Sequence, residues 1–191
     1  GWVKYYLDAI DLTDREHTRV RAKVNVPGLL VGGDASDPSI VYTIDYRWNS
    51  GDTATNDFDV LRIRGSKATL LAHTTIDGWV GSTFVSGKSA YLSAQRWVET
   101  GKNTGYSRVD LHAIDLSNPG HPRDRVASET GWGWLVAVEG DRARVTAGWG
   151  GQGIDVYQLR DGKAPAFEQT IRTRGFWVNG VSRQTSVWFA A

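Results

Sequence analysis

The sequence predicts an all-β fold built from one four-stranded unit repeated four times. Three observations carry this. No stretch of the 191 residues places apolar side chains at helical spacing. Short β-branched and aromatic runs, such as Ile40 to Asp45, Ala90 to Ala94, Arg144 to Ala147 and Phe167 to Ile171, alternate with clusters of Gly, Asn, Asp and Ser. The runs also return in a fixed order.

In chain order, the first runs are Leu7 to Leu12 and Val20 to Val26, ending at Gly28. A full set of four follows: Leu30-Val31, Val41 to Thr43, Asp59 to Ile63 and Thr69 to Ile76, ending at Gly78. The next set is Trp79-Val80, Tyr91 to Ser93, Leu111 to Leu116 and Arg123 to Glu129, ending at Gly131. The third is Trp134-Leu135, Arg144 to Thr146, Val156 to Leu159 and Phe167 to Arg172, ending at Gly175. Two runs close the list, Trp177-Val178 and Val187 to Phe189. Each run is short and rich in residues that suit a pleated surface, and each is bounded by turn formers.

Tryptophan gives the period. Trp48, Trp97 and Trp149 follow second strands at intervals of 49 and 52 residues. Trp2 belongs to the same series if Gly1 is set after Ala191, since Ala-Gly-Trp then matches Ala147-Gly148-Trp149. The remaining intervals become 46 and 44 residues, and the four account for all 191. Four-stranded repeats of about 40–50 residues are the period of β-propeller blades. The expectation is therefore a four-bladed β-propeller occupying 1–191 as a single domain. Its blades are 29–78, 79–131, 132–175, and a fourth made from 1–28 plus 176–191. In that fourth blade two strands come from each end, a two-plus-two closure that protects sheet edges. Half of an eight-bladed ring formed by two chains, or a fragment of a larger propeller, satisfies the same strand pattern.

The segment Leu111-His112-Ala113-Ile114-Asp115-Leu116-Ser117-Asn118-Pro119-Gly120-His121-Pro122 resembles the LVIVD-type repeat of secreted and surface bacterial β-propellers. Ala9-Ile10-Asp11-Leu12-Thr13-Asp14 is a partial copy without the prolines. The resemblance implies a propeller fold and an extracellular or cell-surface parent protein. It implies no activity and carries over no catalytic residues.

Composition narrows function. With 22 Lys plus Arg against 21 Asp plus Glu, the chain has no electrostatic footprint for nucleic acid or an anionic membrane. The absence of Cys excludes disulfides, thiolate catalysis and Cys-ligated metal. No apolar run reaches the ~20 residues of a membrane helix, and the chain as given shows no signal peptide.

The candidate binding residues are tryptophans. Trp79, Trp134 and Trp177 open first strands, and Trp48, Trp97 and Trp149 mark the turns between second and third strands. In a propeller both positions lie on one face, the first set nearer the axis. Indoles there suit stacking on sugars or gripping a protein. The alternative is that they fill wedges between blades. Small residues on the first strands, among them Gly32, Gly81 and Gly180, are expected to relieve crowding at the axis. Asp59, Asp110 and Asp155 open third strands, and two are expected to pair across a hairpin, as Arg47–Asp59 and Arg96–Asp110. Asp34 and Asp37, and the acidic loop after Trp48, read as solvated turns. His73 and His112 read as exposed strand positions.

No His-Glu-x-x-His, Gly-x-Ser-x-Gly or phosphate-loop pattern appears, so no catalytic, cofactor or metal residues are assigned. The leading expectation is a non-enzymatic binding or scaffold module with a Trp-rich face for a glycan or protein. A propeller fragment or engineered repeat subset, self-associating into a larger ring, is the second. The third is a hydrolase or lyase using a carboxylate pair or bound cation on the propeller face.

Overall fold

The computed structural model describes all residues except 1–3, 22, 49–53, 103, 131–132, 148–152, 173–176, 182–186 and 191; of 48, 54, 128–130, 177–181 and 187–190 it describes the backbone alone. The described residues form eighteen strands and no helix, and every strand pairing is antiparallel. The all-β expectation therefore holds.

Three four-stranded sheets make up most of the molecule, and each is a meander in chain order. The first contains β5 (Leu29–Gly33), β6 (Ile40–Trp48), β7 (Ala54–Arg64) and β8 (Lys67–Asp77). The second contains β9 (Trp79–Ser86), β10 (Ser89–Gly101), β11 (Thr104–Asp115) and β12 (Arg123–Thr130). The third contains β13 (Leu135–Glu139), β14 (Arg142–Ala147), β15 (Gly153–Gln158) and β16 (Ala166–Arg172). Tight turns fix the register. Ser86 pairs with Ser89 and Glu139 with Arg142, so two residues close each hairpin. The first of each two is a glycine at positive φ, Gly87 or Gly140, the conformation a two-residue hairpin demands.

The sheets stack face to face, because alternate residues of each strand belong to different cores. Tyr42, Ile44, Phe58 and Val60 of the first sheet pack with Leu92, Ala94, Ile114 and Leu116 of the second. On the other face of the second sheet, Tyr91, Leu111 and Ala113 pack with Leu135, Val145, Tyr157 and Leu159 of the third. Opposite faces of β10 thus serve two interfaces, which explains its unbroken buried run from Ser89 to Ala94. The inner strands touch where side chains vanish. A Cβ on Gly32 would stand 2.6 Å from Val85 Cγ2, and one on Gly81 would stand 2.3 Å from Trp134 Cε3. Small residues on the first strands therefore do admit the neighbouring sheet, as expected.

The ends of the chain are arranged differently. β1 (Tyr5–Leu7) pairs with β4 (Val24–Val26), and β2 (Ile10–Asp11) with β3 (Arg19–Val20). Val24 and Val26 pack on Leu61, on the free face of the first sheet. β17 (Trp177–Val181) and β18 (Val187–Ala190) form a two-stranded sheet of their own. Among the described residues no ladder joins β18 to β1. The fourth four-stranded unit expected from 1–28 plus 176–191 is instead three two-stranded pieces. Asp8-Ala9 interrupts the first of the expected strands, which splits its pairing in two.

Candidate functional site

Strand direction places the tryptophans. Starts of first and third strands and ends of second strands share one end of a meander. The ends of successive sheets are adjacent. Tyr46, near the end of β6, donates its hydroxyl proton to the Val80 carbonyl oxygen at 3.2 Å, at the start of β9. Gly81 meets Trp134, and the Leu135 N–H donates to Ser93 Oγ at 3.2 Å. Trp79, Trp97 and Trp134 thus lie at the same end of adjacent sheets.

Each of the three is exposed, and each rests on a neighbour. Trp79 is 46 % exposed and leans on Tyr46, with ring centroids 5.6 Å apart. Trp134 is 37 % exposed and covers the backbone of Gly81. Its own backbone is pinned, since its N–H donates to Thr146 Oγ1 at 2.8 Å and its carbonyl oxygen accepts from the Thr146 N–H at 2.9 Å. Trp97 is 60 % exposed and lies on Gly105, where a Cβ would stand 2.6 Å from the indole Nε1. The β9–β10 ladder ends at Trp79↔Gln95 and the β11–β12 ladder at Val109↔Thr130, while β10 and β11 stay paired out to Gly101↔Thr104. Trp97 therefore sits on a two-stranded arm that extends past both flanking strands. The side chains of Trp48 and Trp177, and all of Trp149, lie outside the described residues.

The charged pairs follow the register. Arg47 is opposite Thr55 and Arg96 opposite Arg108, so each reaches the diagonal carboxylate. Arg96 Nε donates to Asp110 Oδ2 at 2.8 Å, as expected. Arg47 reaches Asp57, at 2.5 Å, and not Asp59, because it lies four residues beyond Thr43, the partner of Asp59. Asp59 is buried opposite His73, and among the described residues it forms no ion pair with an arginine. Burial, then the Asp57 charge, pushes its carboxyl up to about 6. Both carboxylates are buried, which explains the raised value without a catalytic role.

Two readings of turns and histidines need correction. Asp34 is buried, not solvated. Its carboxylate accepts from Ser36, the Asp37 N–H and, at 2.9 and 3.0 Å, Lys88 Nζ. It ties the β5–β6 turn to the β9–β10 turn of the next sheet. These bonds, the Ser36 hydroxyl first and Lys88 second, hold its carboxyl well below the usual carboxylate range. His112 is also buried, with Nδ1 2.8 Å from Asp124 Oδ2. The bracing roles of Tyr46 and Gly105 were missed by sequence reasoning; a glycine opposite an aromatic hairpin is the only local signal. Among the described residues no three of His, Asp or Glu converge into a metal-binding group.

Comparison with protein-family models, with curated proteins and with solved structures finds no match.

Proposed function

We propose that the chain is a non-enzymatic β-propeller binding module whose tryptophan-bearing end engages a glycan. The observation that carries this is the bracing of three exposed indoles. Trp97 and Trp134 each rest ring atoms against a glycine, and Trp79 leans on a tyrosine. An aromatic held in place has little freedom left to lose on binding. Its open face offers the flat apolar area that a sugar ring stacks on. Long polar neighbours stand beside Trp97, where Gln95 Nε2 donates to Ser107 Oγ at 2.6 Å, and can take up sugar hydroxyls. The LVIVD-type resemblance agrees with a secreted or surface setting for such a module.

The test is binding to an immobilised glycan panel. Wild type binds a subset, and Trp97→Ala and Trp79→Ala each weaken binding about tenfold while leaving the fold intact. Binding to no glycan, or equal binding by both variants, rejects the reading.

A propeller ring is the finer reading of the fold. It is supported by three meander sheets stacked face to face, with inner strands in series. Closure by the chain ends accounts for one further feature. Ile10 and Leu12 are 59 % and 61 % exposed, while their repeat counterparts Ile114 and Leu116 are 0 % exposed against the preceding sheet. β16, the outer strand of the sheet that would precede them, is exposed along its whole length. Assembly between two chains would bury the same surfaces. A mass measurement in solution separates the two: a monomer supports intramolecular closure and a dimer supports the two-chain ring. A monomer in which Ile10→Asp and Leu12→Asp leave stability unchanged rejects both.

A further inference from the structure

We propose that the cleft between β12 and the β15–β16 hairpin is a second binding site, taking an organic cation: an amidinium or guanidinium group on an apolar body, with Asp155 as its counter-charge. The argument comes from comparing three equivalent carboxylates. Asp59, Asp110 and Asp155 lie opposite Thr43, Ala94 and Val145. Those residues in turn lie opposite Leu30, Val80 and Leu135 near the starts of the inner strands. Asp110 and Asp155 both face the preceding sheet, since their partners Ala94 and Val145 belong to the cores formed there.

In the second sheet the protein supplies its own cation. Arg96 and Arg108, paired with each other one step along the hairpin, place their Nε atoms 2.8 and 3.0 Å from the Asp110 carboxylate. The same two places in the third sheet are Ala147 and Gly153, which are also paired. Gly153 admits no side chain, because a Cβ would stand 2.5 Å from the Ile171 carbonyl oxygen. Asp155 accepts from Thr170 Oγ1 at 2.6 Å. Among the described residues it makes no ion pair. Arg172, opposite Gly153 and so diagonal to Asp155, forms no ion pair with it among the described residues, and three other arginines are engaged elsewhere. Arg142 pairs with Glu168, Arg144 with Glu139, and Arg125 Nε donates to the Gly162 carbonyl oxygen at 3.4 Å.

Asp155 also lines open space, on its Tyr157 side rather than on the Ala147–Gly153 side. A cleft of about 640 Å³ is lined by Asp155, Thr170, Tyr157, Phe167, Val126 and Pro165 among others. Tyr157 and Phe167 meet edge to face with centroids 5.7 Å apart. One carboxylate beside an aromatic pair, in a cleft of mixed polar and apolar lining, matches a planar cation. Its N–H groups bond the carboxylate in place of the missing guanidinium, and its body lies against the rings.

Benzamidine is the probe and benzamide, of the same shape without the charge, is its control. Calorimetric titration of the whole chain should give a saturable isotherm with benzamidine and none with benzamide. Asp155→Asn should weaken benzamidine binding about tenfold or more. Ala147→Arg, which restores a cation in place, should abolish binding and raise Tm. Trp97→Ala should leave the isotherm unchanged, so this outcome is independent of the glycan reading. Agmatine and an arginine-containing tetrapeptide then distinguish a free amine from a peptide side chain as the natural source. No benzamidine binding by folded wild type, equal binding of benzamide, or undiminished binding by folded Asp155→Asn and Ala147→Arg overturns the proposal.

Discussion

Gly81→Ala tests the contact that seats Trp134. The new Cβ would stand 2.3 Å from Trp134 Cε3 and 2.4 Å from Cζ3. Ordinary carbon contacts begin near ~3.5 Å, so the ring must retreat by about 1 Å or β9 must shift. Overpacking of this kind costs about 1–3 kcal/mol. Gly81 lies outside the positive-φ set, so backbone strain adds nothing. Replacing a strand glycine would otherwise stabilise by about 0.5–1 kcal/mol. For a chain of this size 1 kcal/mol moves Tm by about 2–4 °C. A net fall of several degrees is expected, read by circular dichroism at a β-sheet wavelength, with a rise in acrylamide quenching of Trp emission. In a Trp134→Ala background the obstacle is gone, and Gly81→Ala should be neutral or stabilising. A Gly81→Ala protein as stable as wild type, or an equal loss in both backgrounds, would refute the reasoning.

Asp59 makes a contribution of definite sign to the pH dependence of stability, since its carboxyl titrates at about 6 in the fold against 3.8 for the free side chain. The native state keeps a proton that the unfolded chain releases, so the Asp59 contribution to stability falls as pH rises from about 4 to 6. Relative to wild type, the urea midpoint of Asp59→Asn should gain as pH rises across that window, and a difference that does not change with pH would contradict the assignment. Asp34 acts in the opposite sense: its lowered carboxyl contributes stability above the unfolded value that is lost as pH falls through and below it. Asp34→Ala at pH 7 should cost about 2 kcal/mol in chemical denaturation, since charge-assisted bonds in a buried turn are lost. Lys88→Met should cost less, because the Lys88 side chain is half exposed; the reverse order would sink the account of that turn. Trp97→Ala should leave the unfolding midpoint within about 0.5 kcal/mol of wild type, as for an exposed position.

The repeat arithmetic made the meanders legible because each strand is short, local in sequence and closed by a glycine turn. Side-chain pairing was less legible. Arg47 and Arg96 look equivalent beside Trp48 and Trp97, but the ladders place them four and two residues beyond the partner of the aspartate. Equivalence along the sequence therefore failed where the second strands differ in length. Asp34 was misread for a different reason. A turn residue is solvated only when nothing covers it, and its cover, Lys88, is 54 residues away. The exposure of Trp79, Trp97 and Trp134 depended on whether a neighbouring sheet reached them, which no local pattern encodes. The arginine-free Asp155 emerged only when register aligned Ala147 and Gly153 with Arg96 and Arg108.

The central claim is that the exposed indoles at one end of the sheets form a recognition surface. The direct measurement is the indole Nε1–H spectrum of protein labelled with ¹⁵N-tryptophan, titrated with the glycan that wild type retains best on the panel. The account predicts that the signals assigned by Trp79→Ala, Trp97→Ala and Trp134→Ala shift together along one binding curve. Signals from these three that stay fixed while the glycan binds would contradict it.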